Sequence, residues 1–188
     1  MKSEKKFTAF HRLLHWLMAL AMPVLFITGF LRMHWMNKNH IVSVIESKVA
    51  AGSLSKDAMV SIAKDIREPM WNWHVVFAHV MIFSVLARVI YMVVKGIRFP
   101  NPFIGNQPFK EKLQGFTYIY FYMFVIISAA TGISLRQGFF PAWKEGIETV
   151  HKWGIYWFPI FILMHFAGIV IAEYSNKRGI VSKMISGE

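Results

Sequence analysis

Eight histidines carry most of the chemistry this chain could do: His11, His15, His34, His40, His74, His79, His151 and His165. Cysteine is absent. That excludes disulfides, thiolate-ligated iron–sulfur clusters, Cys-ligated zinc and covalently attached c-type haem, which needs C-x-x-C-H. No Gly-rich phosphate loop and no catalytic triad is visible, so nucleotide or flavin binding has no support. Any cofactor must be held without a covalent bond, and imidazole is the ligand on offer. One spacing recurs: His151 and His165 are 14 residues apart, as are His74 and Arg88, and His15 and Gly29. Fourteen residues fall about 40° short of four helical turns, so such a pair leaves one helix face about 21 Å apart.

The elements that must position these residues follow from composition. Of 188 residues 55% are hydrophobic and 16% charged, too apolar for an ordinary soluble domain of this size. Four stretches are long enough to span a bilayer: about 10–31, 71–94, 113–135 and 149–172. Pro23 and Pro159 fall inside the first and fourth, where membrane helices tolerate kinks. Ala19-Leu20-Ala21 resembles a signal cleavage site, but the apolar run continues to Phe30 and reads as an uncleaved helix. The loop from Met33 to Met70 carries two amphipathic patterns, around Ile41–Val49 and Leu54–Ile66. These predict two surface helices, the second capped by Ser55.

Charge sets the expected direction. The chain carries 21 Lys and Arg against 10 Asp and Glu, a net +11, with no nucleic-acid module beside it. With the N-terminus inside, the inner segments collect Lys2, Lys5, Lys6, Arg12, Lys95, Arg98, Lys110, Lys112, Lys177, Arg178 and Lys183 against Glu4, Glu111, Glu173 and Glu188. Six of the seven Trp lie at or near the outer ends, as an interfacial belt would. Both termini are therefore expected in the cytoplasm, and the chain in a bacterial inner membrane.

Depth then pairs the histidines. His15 and His165 fall at the inner level, His74 and His151 at the outer. Two facing imidazoles in an apolar bundle are what a six-coordinate b-type haem requires. The expected fold is all-α: one transmembrane domain over residues 1–188, a four-helix bundle with two non-covalent, bis-His haems b between helices. Small residues would make room for the macrocycles: Thr28-Gly29 and Ala129-Ala130-Thr131-Gly132 outside, Gly115 inside. A faint duplication supports this layout. Thr28-Gly29 through Arg32 closes the first span, Thr131-Gly132 through Arg136 closes the third, and Arg88 stands where the fourth span has His165. Arg88 and Arg12 would pair with haem propionates. The competing readings are polar packing between helices and another metal. His79, about 140° around the helix from His74, is the rival outer ligand. His11 lies near the membrane edge, and His34 and His40 belong to the outer loop.

The segments His11-Arg-Leu-Leu-His15-Trp16, His74 to Arg88-Val-Ile-Tyr91, and Val150-His-Lys-Trp-Gly-Ile-Tyr-Trp157 through His165 resemble the prokaryotic cytochrome b561 superfamily. Within it the resemblance runs closest to the di-haem b-type cytochrome subunits of membrane-bound nickel–iron hydrogenases and formate dehydrogenases, and it includes the tail from Lys177 to Gly187. It implies four helices and two haems b ligated by His15, His74, His151 and His165. It also implies electron transfer between a periplasmic redox protein and the quinone pool. The chain is shorter than the hydrogenase subunits between the second and third spans, and its outer loop is longer. That leaves the partner open: a hydrogenase or dehydrogenase subunit, or a c-type cytochrome. The alternatives are a free-standing quinol oxidoreductase acting on a small oxidant at the periplasmic face, and a haem-free transporter or anchor. Whether the chain turns over a substrate alone, and whether it forms oligomers, are both left open. His11 and Glu173 are the polar candidates for a proton path at the quinone end.

Overall fold

The computed structural model describes residues 7–97, 99–174 and 179–187, and every described element is helical. Of the charges used above for orientation, Lys2, Glu4, Lys5, Lys6, Arg98, Lys177, Arg178 and Glu188 lie outside the described residues. Helix α1 spans Ala9–Met33 and begins at Thr8, whose hydroxyl accepts from the His11 amide at 3.2 Å. That bond satisfies one of the amides that the first turn leaves open. Asn37 does the same for the short helix α2, Lys38–Glu46, accepting from Asn39 at 2.9 Å.

Helix α3 runs without interruption from Lys56 to Val94, 39 residues. Here the sequence expectation needs correction. The second surface helix of the loop 33–70 is not a separate element but the first half of α3, continuous through Pro69 with the second span. A proline removes one hydrogen-bond rung and crowds the carbonyl four residues before it, and the flanking turns carry the helix past that point. At 1.5 Å per residue α3 is about 58 Å long, against about 30 Å for a bilayer core, so part of it projects beyond the membrane. The Ser55 hydroxyl caps its start, accepting from the Ala58 amide at 3.2 Å. Helix α2 lies on the projecting part, where Val42, Met59 and Ala63 form a small buried cluster with Ile41, Ile45, Leu54 and Val60.

Helix α4, Phe109–Gln137, ends at Gly138, whose φ of 70° only glycine adopts without strain. A 3-10 turn at Pro141–Trp143 leads into α5, Lys144–Lys152, and α6, Gly154–Glu173. The fourth span falls within this one stretch, with a single-residue turn at Trp153 between α5 and α6. The stretch Pro141–Glu173, together with α1, α3 and α4, supplies four helical segments long and apolar enough to cross a membrane. Large apolar side chains such as Leu163, Phe83 and Val93 point outward, as an integral membrane bundle requires.

Helix α1 packs mainly on α3, and α4 on α5 and α6, with α1 also touching α6. The two helix pairs are those expected from the duplication. Their shared core is Met18, Ala21 and Met22 of α1, Met81 and Val85 of α3, Phe121 and Val125 of α4, and Phe161 of α6. In sequence these residues fall between the inner and outer histidine levels, so this core lies at mid-depth. Finally, α7, Ile180–Ile185, folds back beneath α1: the Trp16 indole donates to the Met184 carbonyl at 3.3 Å. The Glu173 carboxylate caps α7, accepting from the amides of Gly179 at 2.8 Å and Ile180 at 3.1 Å.

Candidate functional site

Helices α3 and α5 bring His74 and His151 together, with ring centroids 6.3 Å apart and planes at 73°. Helices α1 and α6 bring His15 and His165 together at 6.1 Å and 37°. Two imidazoles sharing one metal, each with a metal–nitrogen bond of about 2.0 Å, place their centroids roughly 6 Å apart. Both pairs meet that spacing. An edge-to-face aromatic contact would meet it too, so the surroundings decide.

At the inner level the surroundings are anion-seeking. Arg88 is only 8% exposed and has no carboxylate partner among the described residues, where the ion pair found joins Lys152 to Glu148 at 2.8 Å. It lies within electrostatic reach of His11, His15 and His165 and beside Tyr122. A buried guanidinium without a counter-charge is costly, and an incoming carboxylate relieves that cost. A haem propionate fits the need. Phe161 stacks on His165 at 5.5 Å and 22°, linking this level to the mid-depth core. Arg12 is placed differently: its guanidinium lies against Gly187 of the C-terminal segment.

At the outer level each histidine has a threonine. A hydrogen bond of 2.8 Å joins Thr28 Oγ1 to His74 Nδ1, and one of 3.0 Å joins Thr131 Oγ1 to His151 Nδ1. Trp71 lies parallel to the His74 ring at 5.4 Å and 4°, and the Arg32 guanidinium sits 4.2 Å over Trp71. Basic Arg32, Lys64 and Arg67 and acidic Asp65 and Glu68 line, with Trp71, a cavity of about 330 Å³, with Arg67 Nε buried and unpartnered. A side chain at Gly132 would come within 3.0 Å of His151 Cε1, whereas Gly29 faces open space.

Several expected roles change on inspection. His79 is exposed and its Nδ1 donates to the Val75 carbonyl of its own helix at 2.7 Å, so it does not meet His151. Gly115 does not leave room for a macrocycle. A Cβ there would lie 2.6 Å from the Pro100 carbonyl oxygen and 2.8 Å from Pro102, so the glycine lets the loop before α4 close on that helix. Glu173 caps α7 and is not presented to a proton path. Sequence reasoning missed the Thr–His bonds and the Arg32–Trp71–His74 stack. The sequence signal was slight: Thr precedes Gly at the end of both duplicated spans and Trp71 is three residues before His74, but neither pattern names the side chain it faces.

No group of three or more His, Asp or Glu gathers among the described residues. The imidazoles come in pairs, which suits a ligand that brings four equatorial donors of its own. One protein family, described as prokaryotic cytochrome b561, matches residues 6–187 of the chain. Comparison with curated proteins and with solved structures gives no match.

Proposed function

The chain belongs to the prokaryotic cytochrome b561 family, membrane b-type cytochromes of transmembrane electron transfer, and from that membership we propose a di-haem electron conduit between a periplasmic redox protein and quinone. His15 and His165 hold the inner haem, and His74 and His151 the outer. When bound, each haem supplies a one-electron carrier whose iron changes by one charge. The chain's own residues bind, orient and insulate. Arg88, itself buried, neutralises a propionate of the inner haem. The Met18–Phe161 core keeps the two levels apart and dry. Fourteen residues along the uninterrupted helices α1 and α3 set the levels about 21 Å apart, which leaves shorter distances between ring edges. The Arg32–Trp71 stack offers the outer histidine a contact at the surface, where α2 and the projecting part of α3 are available to a partner. The N-terminus and the tail face the cytoplasm, and quinone reaches the inner ends of the helices.

The observation that carries this reading is that two His–His pairs, at 6.3 and 6.1 Å, stand at the two ends of one bundle, one of them beside a buried arginine with no carboxylate partner among the described residues. Four single His→Ala variants test it. His74→Ala and His151→Ala each remove the same haem, and His15→Ala and His165→Ala each remove the other. Any crossing of these groups, such as one haem lost on changing His74 and a different one on changing His151, contradicts the pairing.

A further inference from the structure

Resting on the bis-His reading above, we infer that Thr28 and Thr131 are paired positioning residues that fix both outer imidazoles in the tautomer binding iron through Nε2. A threonine hydroxyl has one proton to give. Thr28 donates it to the Val24 carbonyl at 2.7 Å, with the Leu25 carbonyl at 3.1 Å sharing it. Thr131 donates to the Ile127 carbonyl at 2.6 Å, with Ser128 at 3.2 Å. Carbonyl oxygens only accept, so each Oγ1 faces its histidine as a lone pair. The proton in the 2.8 Å and 3.0 Å contacts to Nδ1 therefore comes from the ring. A neutral imidazole protonated at Nδ1 keeps its lone pair on Nε2, the atom left to take a metal.

The device occurs twice in matching places. In each helix pair the threonine sits near the outer end of the first helix, directly before a glycine, and reaches the histidine of the second. The inner level is built otherwise: neither His15 nor His165 has a ring hydrogen bond among the described residues. An acceptor at Nδ1 makes an imidazole a stronger donor to its metal and so favours the oxidised iron. The two threonines thus hold the outer haem's potential below the value its ligands alone would give. The inner haem is untouched by them.

The test uses the full-length chain purified with its haems. Thr28→Val and Thr131→Val keep the side-chain shape and delete the acceptor, while Thr28→Ser and Thr131→Ser restore it. A potentiometric titration followed in the reduced α-band separates the haems, and His74→Ala identifies the inner wave. Each Val variant is expected to raise the outer midpoint by about tenfold in its reduction equilibrium, about 59 mV for one electron. The inner wave stays in place and the Ser variants return to the wild-type value. An outer wave unmoved in both Val variants, or both waves moving together, overturns the inference. If Val abolishes the outer haem altogether, Ser decides. Retention with Ser supports the hydroxyl's role, and loss with Ser shows a packing role and overturns it. Wild-type protein lacking haem would remove the bis-His reading itself, and its spectrum shows this before any titration.

Discussion

His74 and His79 sit on the same helix five residues apart, and burial and bonding separate them. The His74 ring is held by Thr28 and faces His151, whereas His79 is exposed and bonded to its own helix. His79→Ala should therefore leave both haems in place, as counted by the pyridine haemochrome of the purified variant. Arg88 makes a sharper point. Removing a buried positive charge beside the His15–His165 pair, as in Arg88→Leu, should lower the potential of a haem held there and leave the other alone. One charge about 10 Å away at an effective dielectric near 20 is worth roughly 1–2 kcal/mol, about tenfold in the reduction equilibrium. Separate waves in a redox titration report this, and a rise or no change would count against Arg88 as a propionate partner. That His15 meets His165 and His74 meets His151 could be read from spacing because a helix fixes depth and face together. Thr28 and Thr131 could not be given their role. A threonine's hydrogen bond depends on which helix faces it, and sequence offered only a small residue beside a glycine.

The elements show where composition misleads about geometry. Hydropathy stops near Met70, so the sequence suggests a loop helix and then a span. The backbone continues because leaving the membrane changes the solvent and not the helix, and one lost rung is tolerated. Ser55 was legible as a cap, and it caps the long helix. Ser55→Ala should cost about 1 kcal/mol locally, seen as faster hydrogen exchange over the first turns of α3. Gly115 shows the opposite case, a small residue whose reason is a contact far along the chain. With Pro100 and Pro102 against it, Gly115→Ala should destabilise the folded protein by about 1–3 kcal/mol. Thermal unfolding in detergent checks this, and an unchanged melting temperature would contradict the close approach.

At the scale of the molecule, the bundle is two similar helix pairs joined through a mid-depth core, with a histidine pair at each end. This was legible because duplication and the four apolar spans are global patterns that survive local misreadings. The direction of insertion rests on charge, and the natural absence of cysteine makes it simple to check. With both termini inside, Lys48→Cys should react with a membrane-impermeant maleimide from the periplasmic side, and Lys95→Cys should not until the membrane is opened. The reverse labelling would invert the account of which haem is inner. The central claim is that each histidine pair holds one haem, and the haem-to-protein ratio of the purified chain tests it most directly. Two b-type haems per chain is the result expected; a ratio of one, or a colourless protein, would contradict it.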